Sequence, residues 1–156
     1  WQLHALHHSQ RQMTMWSDNR NHMLDDLLRD STFVVVALLI GVAPAQFVAL
    51  VAVTQLLESL AHANVRLNFG PVLGRLLVSP RFHRDHHAMG AEHDLAPAGG
   101  HNFAVLFPVW DMIFRTARFD GGTAPTGLKD QLQGRDYGRG FWAQQWRGLQ
   151  RLAGRG

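Results

Sequence analysis

The longest apolar segment of the chain is predicted to form a helical hairpin. No charged residue occurs from residue 31 to residue 57. A single helix over that segment would be about 40 Å long, which exceeds the roughly 30 Å hydrocarbon core of a bilayer. Gly41 and Pro44 divide the segment, since glycine commonly follows the end of a helix and proline suits a first turn. We therefore predict one helix from about Met23 to Val42 and a second from about Pro44 to Ala63.

The pattern of the hairpin leaves its environment open. Four charged residues stand near the start of the first helix, namely Asp25, Asp26, Arg29 and Asp30. Because they interrupt the apolar pattern, a hairpin buried in a soluble protein fits about as well as a transmembrane one. Glu58 and His62 favour the membrane interpretation, since ionisable groups placed where a helix leaves the apolar layer are typically functional.

Shorter helices and loops are predicted for the rest of the chain. Residues 64–80 and 90–100 contain glycine and proline and are predicted to be connecting segments. Residues 141–152 predict a short amphipathic helix with Trp142, Trp146 and Leu149 on one side. Such a helix lies on a membrane surface or caps a domain, and we expect it to act as a cap.

Composition narrows the chemistry that the chain can carry. The 156 residues include ten histidines and no cysteine, which excludes disulfides, cysteine-ligated metal sites and thiol catalysis in this chain. The formal net charge is +3, from fifteen basic and twelve acidic residues. The basic residues are spread singly, with no basic run or nucleic-acid-binding motif, so we expect no nucleic acid partner. Any metal in this chain must be held by imidazole and oxygen.

Six of the ten histidines fall in two His-x-x-His-His boxes, His4/His7/His8 and His83/His86/His87. Positions i, i+3 and i+4 of a helix share a face, so each box points three imidazoles in one direction. Adjacent imidazoles oppose one another's protonation, and burying them unpaired is costly. The boxes and His62 therefore predict metal binding. His22, His93 and His101 stand alone, and we expect each to be exposed to solvent or to lie beside the ligands.

The number of imidazoles points to more than one metal ion. Six exceed what a four-coordinate zinc site uses, and closed structural zinc sites usually include cysteine. Two metals between the boxes fit better. Carboxylate-bridged di-iron bundles use Glu and Glu-x-x-His motifs, and neither Glu58 nor Glu92 stands in such a motif. Imidazole binds iron, zinc, copper and nickel, so the pattern alone leaves the metal open.

Five stretches carry a resemblance to a known family. They are residues 1–9 (WQLHALHHS), 18–28 (DNRNHMLDDLL), 62–72 (HANVRLNFGPV), 79–88 (SPRFHRDHHA) and 102–116 (NFAVLFPVWDMIFRT). In their order and spacing the chain resembles the fatty acid hydroxylase/sterol desaturase superfamily of integral-membrane di-iron enzymes. Arg115 stands where that family usually has glycine, and His101 where an acidic or polar residue is more usual. Neither departure lies in a box.

The resemblance, together with the predicted hairpin, implies an all-α fold: a transmembrane helical hairpin plus cytoplasmic helices that carry a histidine-rich di-metal site. It implies two Fe ions, O2 as co-substrate and an external electron donor of the ferredoxin or cytochrome type. The implied ligands are His4, His7, His8, His62, His83, His86 and His87, with no catalytic residue beyond them. Asp111 and Asn102 are expected to lie around the ligands, Asp111 by tying the last helix to the box helix or by bonding a ligand histidine.

The resemblance also sets an expectation for domain organisation. Residues 1–156 are expected to form a single partial domain, because the N-terminal transmembrane helices and the first histidine box, an HxxxH-type pair, would lie upstream of Trp1. The protein is expected to be an integral membrane protein with its metal site on the cytoplasmic side.

The expected function is O2-dependent hydroxylation or desaturation of a lipid C–H bond. A metal-dependent hydrolase or lyase, which would use a metal-activated water, is one alternative. An inactive metal-binding fragment is another. The sequence does not select among sterols, fatty acyl chains, alkylglycerols and carotenoids as substrates.

Overall fold

A computed structural model describes residues 1–90, 100–121 and 124–155. Within these ranges the regular structure is helical, apart from one isolated antiparallel bridge between Ala88 and Thr126. The α-helices are α1 (Ala5–His8), α2 (Met23–Leu39), α3 (Pro44–Ala61), α4 (Gly70–Leu76), α5 (Pro80–His86), α6 (Val109–Phe114) and α7 (Phe141–Leu152). Two short 3-10 helices span Ser17–Asn19 and Lys129–Gln133. The all-α prediction is confirmed. His93 and residues 91–99 of the predicted loop lie outside the described residues.

α2 and α3 form the predicted hairpin, and both begin at the predicted residue. α2 starts after His22, whose Nδ1 accepts the amide N–H of Leu24. It ends before Gly41, whose φ of +78° is a left-handed conformation that glycine adopts without strain. Pro44 occupies the first turn of α3, where the absence of an N–H has no cost. Both helices end slightly earlier than predicted.

The apolar surface of the hairpin points outward. None of the α2 residues is buried, and in α3 only Ala61 is. Leu39, Ile40 and Val48 are each more than half exposed. Among the described helices, α3 is the one that is long and apolar enough to cross a membrane. Apolar exposure on this scale marks a surface that contacts lipid or protein, and the described residues of this chain do not bury the hairpin.

The buried residues lie where α3 ends, in the part of the fold that we call the head (residues 1–22, 62–90, 100–121 and 124–155). There α3 packs against α5 and against the 3-10 helix Ser17–Asn19. One small apolar cluster comprises Ala61, Val78, Phe82 and Ala104, and a second comprises Ala5, Leu128 and Tyr137. Both clusters are small. Buried histidine side chains fill much of the remaining interior of the head.

α7 confirms the predicted amphipathic helix, but the face that it buries is the polar one. It packs against α1 and buries Gln145, Gly148 and Arg151. The Gln145 side chain accepts the amide N–H of Met23 at 2.8 Å, and the Gln145 carbonyl accepts His22 Nε2–H at 2.9 Å. His22 is therefore a buried structural residue that joins α2 to α7. The expectation that it is exposed or lies beside the ligands is wrong.

We expect Gly148→Ala to destabilise the head. A Cβ at this position would overlap the His22 ring, and overpacking of this kind costs about 1–3 kcal/mol. Gly74→Ala is the matched control, because a Cβ there meets nothing nearer than 3.7 Å and the change favours the helix by about 0.5–1 kcal/mol. Midpoints of thermal unfolding in detergent measure both effects. A Gly148→Ala midpoint at or above that of the parent protein would contradict the position of α7.

Candidate metal centre

Two helical turns and one helix end bring the predicted ligands together. α1 carries the first box with His4 at its N-cap, and α5 carries the second box with His87 at its C-cap. His62 stands at the C-cap of α3. Six of the seven predicted ligands are buried: His7, His8, His62, His83, His86 and His87. The box spacing thus places imidazoles on one face of each turn, as predicted.

Four of these imidazoles converge through their Nε2 atoms. His62 Nε2 lies 3.0 Å from both His7 Nε2 and His83 Nε2. His87 Nε2 lies 3.2 Å from His83 Nε2. Around a cation that binds imidazoles at about 2.1 Å, neighbouring ligand nitrogens are about 3.0–3.4 Å apart. These three distances are those of adjacent ligands in a coordination shell, and the ligand atoms of all four histidines lie within 4.8 Å of one another.

A second group of histidines adjoins the first at His87. His8, His86 and His87 have ligand nitrogens within 4.8 Å of one another. The rings of His8 and His87 are stacked with their centroids 4.3 Å apart. Because His87 belongs to both groups, two candidate cation positions lie side by side.

Hydrogen bonds to backbone carbonyls fix which ring nitrogen carries the proton in two histidines. His62 Nδ1 donates to the Glu58 carbonyl at 2.8 Å, and His86 Nδ1 donates to the His101 carbonyl at 3.0 Å. A neutral imidazole that donates through Nδ1 keeps its lone pair on Nε2. The single lone pair of His62 Nε2 faces two other ring nitrogens, so hydrogen bonds among the rings leave some of these nitrogens unpaired. A cation would accept the lone pairs of all of them.

Burial keeps these rings neutral. It lowers the pKa of His7, His83 and His87 well below the ordinary value, and neighbouring imidazoles lower the pKa further. Burial also lowers the pKa of His62. Neutral imidazoles offer lone pairs to a cation without first losing a proton. Within the described part of the chain, the Nδ1 atoms of His7, His83 and His87 are buried without a hydrogen-bond partner. The polar contacts that orient these rings are therefore those of their Nε2 atoms.

His4 lies at the rim of the histidine cluster. Its Nδ1 is 3.1 Å from Oδ2 of Asp25, and 43% of its side-chain surface is exposed. Its ring centroid is 5.2 Å from that of His7 and 5.0 Å from that of His8. Among the seven predicted ligands, it is the one outside both groups. A carboxylate on one ring nitrogen is a common outer partner of metal-binding histidines, so the Asp25 contact is compatible with the predicted role.

Asp111 holds the segment that follows residue 101. Its buried carboxylate accepts the amide N–H groups of Phe103 at 2.8 Å and Ala104 at 2.7 Å. It also accepts the Thr116 hydroxyl at 2.5 Å. These bonds tie α6 to the backbone beside the histidine cluster, so Asp111 acts on the polypeptide rather than on an imidazole.

Asn102 joins the same segment to the second box. Its side-chain amide donates to the Phe82 carbonyl in α5 at 3.1 Å and to the Arg118 carbonyl at 3.0 Å. Its φ of +57° lies in the left-handed region, which asparagine tolerates better than most residues. These bonds fix the backbone next to His101, whose carbonyl orients His86.

The pairing of Asp85 with His101 was not predicted. His101 Nε2 lies 2.7 Å from Asp85 Oδ2, and both side chains are buried. Gly121 allows this arrangement, because a Cβ there would overlap the Asp85 carboxyl group. The pair fixes the residue whose carbonyl accepts His86 Nδ1–H, so His101 does lie beside the cluster. The signal in the sequence that could have indicated this pair is Asp85, an acidic residue inside the second box.

An open cleft of about 440 Å³ lies beside α6. It is lined by Phe103, Ala104, Val105, Trp110, Asp111, Phe114 and Thr116. The Phe103 ring lies 5.7 Å from the His86 ring, measured between centroids. The lining of the cleft is mostly apolar, which suits a hydrocarbon chain.

Comparison with known proteins agrees with this geometry. The model of the fatty acid hydroxylase family matches residues 1–116, which include all seven predicted ligands and end before α7. The chain is 29% identical over 144 residues to the ornithine lipid hydroxylase OlsE of Rhizobium tropici. That match covers 92% of this chain and 41% of the relative, so the chain spans less than half of that protein's length. No solved structure matches the chain. The predicted resemblance is confirmed, and the chain belongs to the fatty acid hydroxylase family.

Proposed function

We propose that the histidine cluster holds two iron ions and that the chain is part of a membrane-bound, O2-dependent lipid hydroxylase. The observation that carries this proposal is the convergence of buried, neutral imidazoles in two groups that share His87. The one lone pair of His62 Nε2 cannot satisfy both ring nitrogens that face it, whereas a cation would accept the lone pairs of all three. Membership of the fatty acid hydroxylase family supports iron and hydroxylation.

Each group of imidazoles supplies one iron position. The first iron would be held by His7, His62 and His83, the second by His8 and His86, with His87 at their junction and His4 at the rim. Bound iron supplies O2 activation and oxidation of an unactivated C–H bond, with electrons from a ferredoxin- or cytochrome-type donor. The carbonyls of Glu58 and His101 keep two of the Nε2 atoms turned toward the metals. No further catalytic residue is proposed.

The hairpin and the cleft would bring the lipid to the metals. We place α2 and α3 in the bilayer, because their apolar side chains face outward. All basic residues except Arg29 lie outside these two helices, and basic residues favour the cytoplasmic side, so the head would be cytoplasmic. The cleft, whose Phe103 contacts the His86 ring, would hold part of the substrate chain. The name of the Rhizobium relative favours hydroxylation over desaturation and a lipid with a polar headgroup.

We further propose that residues 1–156 are one partial domain of this enzyme. The chain spans 41% of the relative's length, and the matched residues contain two histidine boxes. In this proposal, upstream transmembrane helices and an HxxxH-type pair would complete the metal site.

Metal analysis and oxygen uptake test the proposal. The full-length protein, purified from iron-supplemented cells, should contain two irons per chain. With a reductant and a lipid substrate it should consume O2 and release a hydroxylated lipid. Turnover under argon would overturn the oxygenase assignment in favour of a hydrolase or lyase. Bound iron without O2 consumption on any lipid tested would favour an inactive metal-binding protein.

A further inference from the structure

We propose that α7 lies along the membrane surface, with Trp142, Trp146 and Leu149 in the headgroup region of the bilayer. This surface is not part of the metal chemistry and lies beyond the residues that match the family. The inference rests on the proposed function only through the placement of the α2–α3 hairpin in the membrane.

The first observation is the orientation of α7. Trp142 is 76% exposed, Trp146 61% and Leu149 41%. Their i, i+4, i+7 spacing places them on one face of the helix. We call this face the α7 stripe. The opposite arrangement would be expected of a cap in water, because burial of an apolar face supplies most of the free energy that docks a helix. Here the buried positions are Gln145, Gly148 and Arg151.

The second observation is the level at which α7 is attached. Gln145 accepts the Met23 amide N–H and donates to the Asn21 carbonyl at 3.2 Å. Gly148 carries no side chain, so its backbone approaches the His22 ring closely. α7 is therefore fixed to the first turn of α2, which carries Asp25 and Asp26. With the hairpin placed in the bilayer as proposed, these carboxylates lie at the membrane interface.

These two observations together favour lipid as the occupant. Tryptophan is enriched at the boundary between headgroups and hydrocarbon, where its ring and its N–H are both accommodated. An exposed aromatic and aliphatic face on a short helix is typical of interfacial helices. Arg147 is exposed but lies 3.4 Å from the Asp136 carboxylate, so the α7 stripe, and not positive charge, favours lipid. A partner protein would cover the α7 stripe equally well. Contact with a partner would not, however, require α7 to be attached at the level where α2 enters the membrane.

The absence of cysteine from the chain allows a direct test. Single cysteines are introduced as Trp142→Cys and Trp146→Cys, and each is labelled with a nitroxide in full-length protein reconstituted into phosphatidylglycerol-containing vesicles. Any cysteine outside residues 1–156 is replaced by serine. Ala143→Cys, exposed but outside the α7 stripe, is the matched control, and Val51→Cys in α3 reports the membrane interior. Leu149→Cys gives a second reading of the α7 stripe if a tryptophan variant fails to fold.

Collision with O2, which is enriched in lipid, is compared with collision with a water-soluble nickel chelate. The labels on the α7 stripe should favour O2, as at Val51, whereas the Ala143 label should favour nickel. Stripe labels that behave like the Ala143 label would overturn the inference and leave the hairpin placement intact. Protection from both reagents would mean that protein covers the α7 stripe, and would also overturn it. A Val51 label that favours nickel would overturn the hairpin placement, and the inference with it. Iron content, measured separately, is independent of all these outcomes.

Discussion

His87→Ala is expected to remove both irons from the full-length protein and to abolish turnover. The His87 ring is 1% exposed and lies 4.3 Å from the His8 ring and 4.8 Å from the His83 ring, measured between centroids. It therefore lies where the two groups of imidazoles meet. Loss even of an outer partner of a metal ligand lowers affinity or activity about 10–100-fold, so we expect a larger loss here. Iron per chain and hydroxylated product per minute measure the effect.

Two further variants sharpen this test. His62 belongs to one group only, so His62→Ala is expected to lose iron mainly from the first position. His22 is also a buried histidine, but it caps α2, and asparagine is a good N-cap residue. His22→Asn should therefore keep both irons. A folded His87→Ala protein with two irons per chain would show that this ring is not a ligand.

Asp111→Ala is expected to destabilise the head by about 3–5 kcal/mol, because three donors lose their acceptor in a buried site and each unsatisfied group costs about 1–3 kcal/mol. These donors are the amides of Phe103 and Ala104 and the Thr116 hydroxyl. Asp120→Ala, at an exposed carboxylate, is the matched control and should change stability little.

The midpoint of thermal unfolding and the iron content of the folded fraction measure this effect. A structural role predicts a large fall in the midpoint while protein that remains folded still binds iron. An unchanged midpoint with lost activity would instead place Asp111 in the chemistry. The conservative Asp111→Asn keeps one acceptor oxygen, so its midpoint should lie between those of the parent protein and Asp111→Ala.

Much of the local structure could be predicted because short-range rules determine it. The i, i+3, i+4 spacing places the imidazoles of each box on one face, whatever the rest of the fold does. Gly41 and Pro44 divide the apolar segment for reasons of backbone conformation alone. The amphipathic pattern of α7 likewise predicted a helix at 141–152, and the structure confirms it.

Other features required knowledge of which elements pack together. The periodicity of α7 shows that it has two faces but not which face is buried. The polar face is buried because its amide and backbone groups meet the start of α2. The role of His22 was mispredicted for the same reason, since its partner lies 123 residues away along the chain.

By itself, then, the sequence determined the hairpin, α7, the two boxes and the family, because each depends on residue type and spacing within a short segment. The prediction that residues 64–80 only connect helices was wrong, since α4 (Gly70–Leu76) forms within them. Only the tertiary structure decided that His62 stands between His7 and His83, that His87 joins two groups and that His4 lies at the rim. It also decided that the carbonyls of Glu58 and His101 fix which ring nitrogen of His62 and His86 carries the proton. The physical reason is that lone-pair directions and burial arise from contacts between segments distant in the chain, and residue spacing within one segment does not encode them.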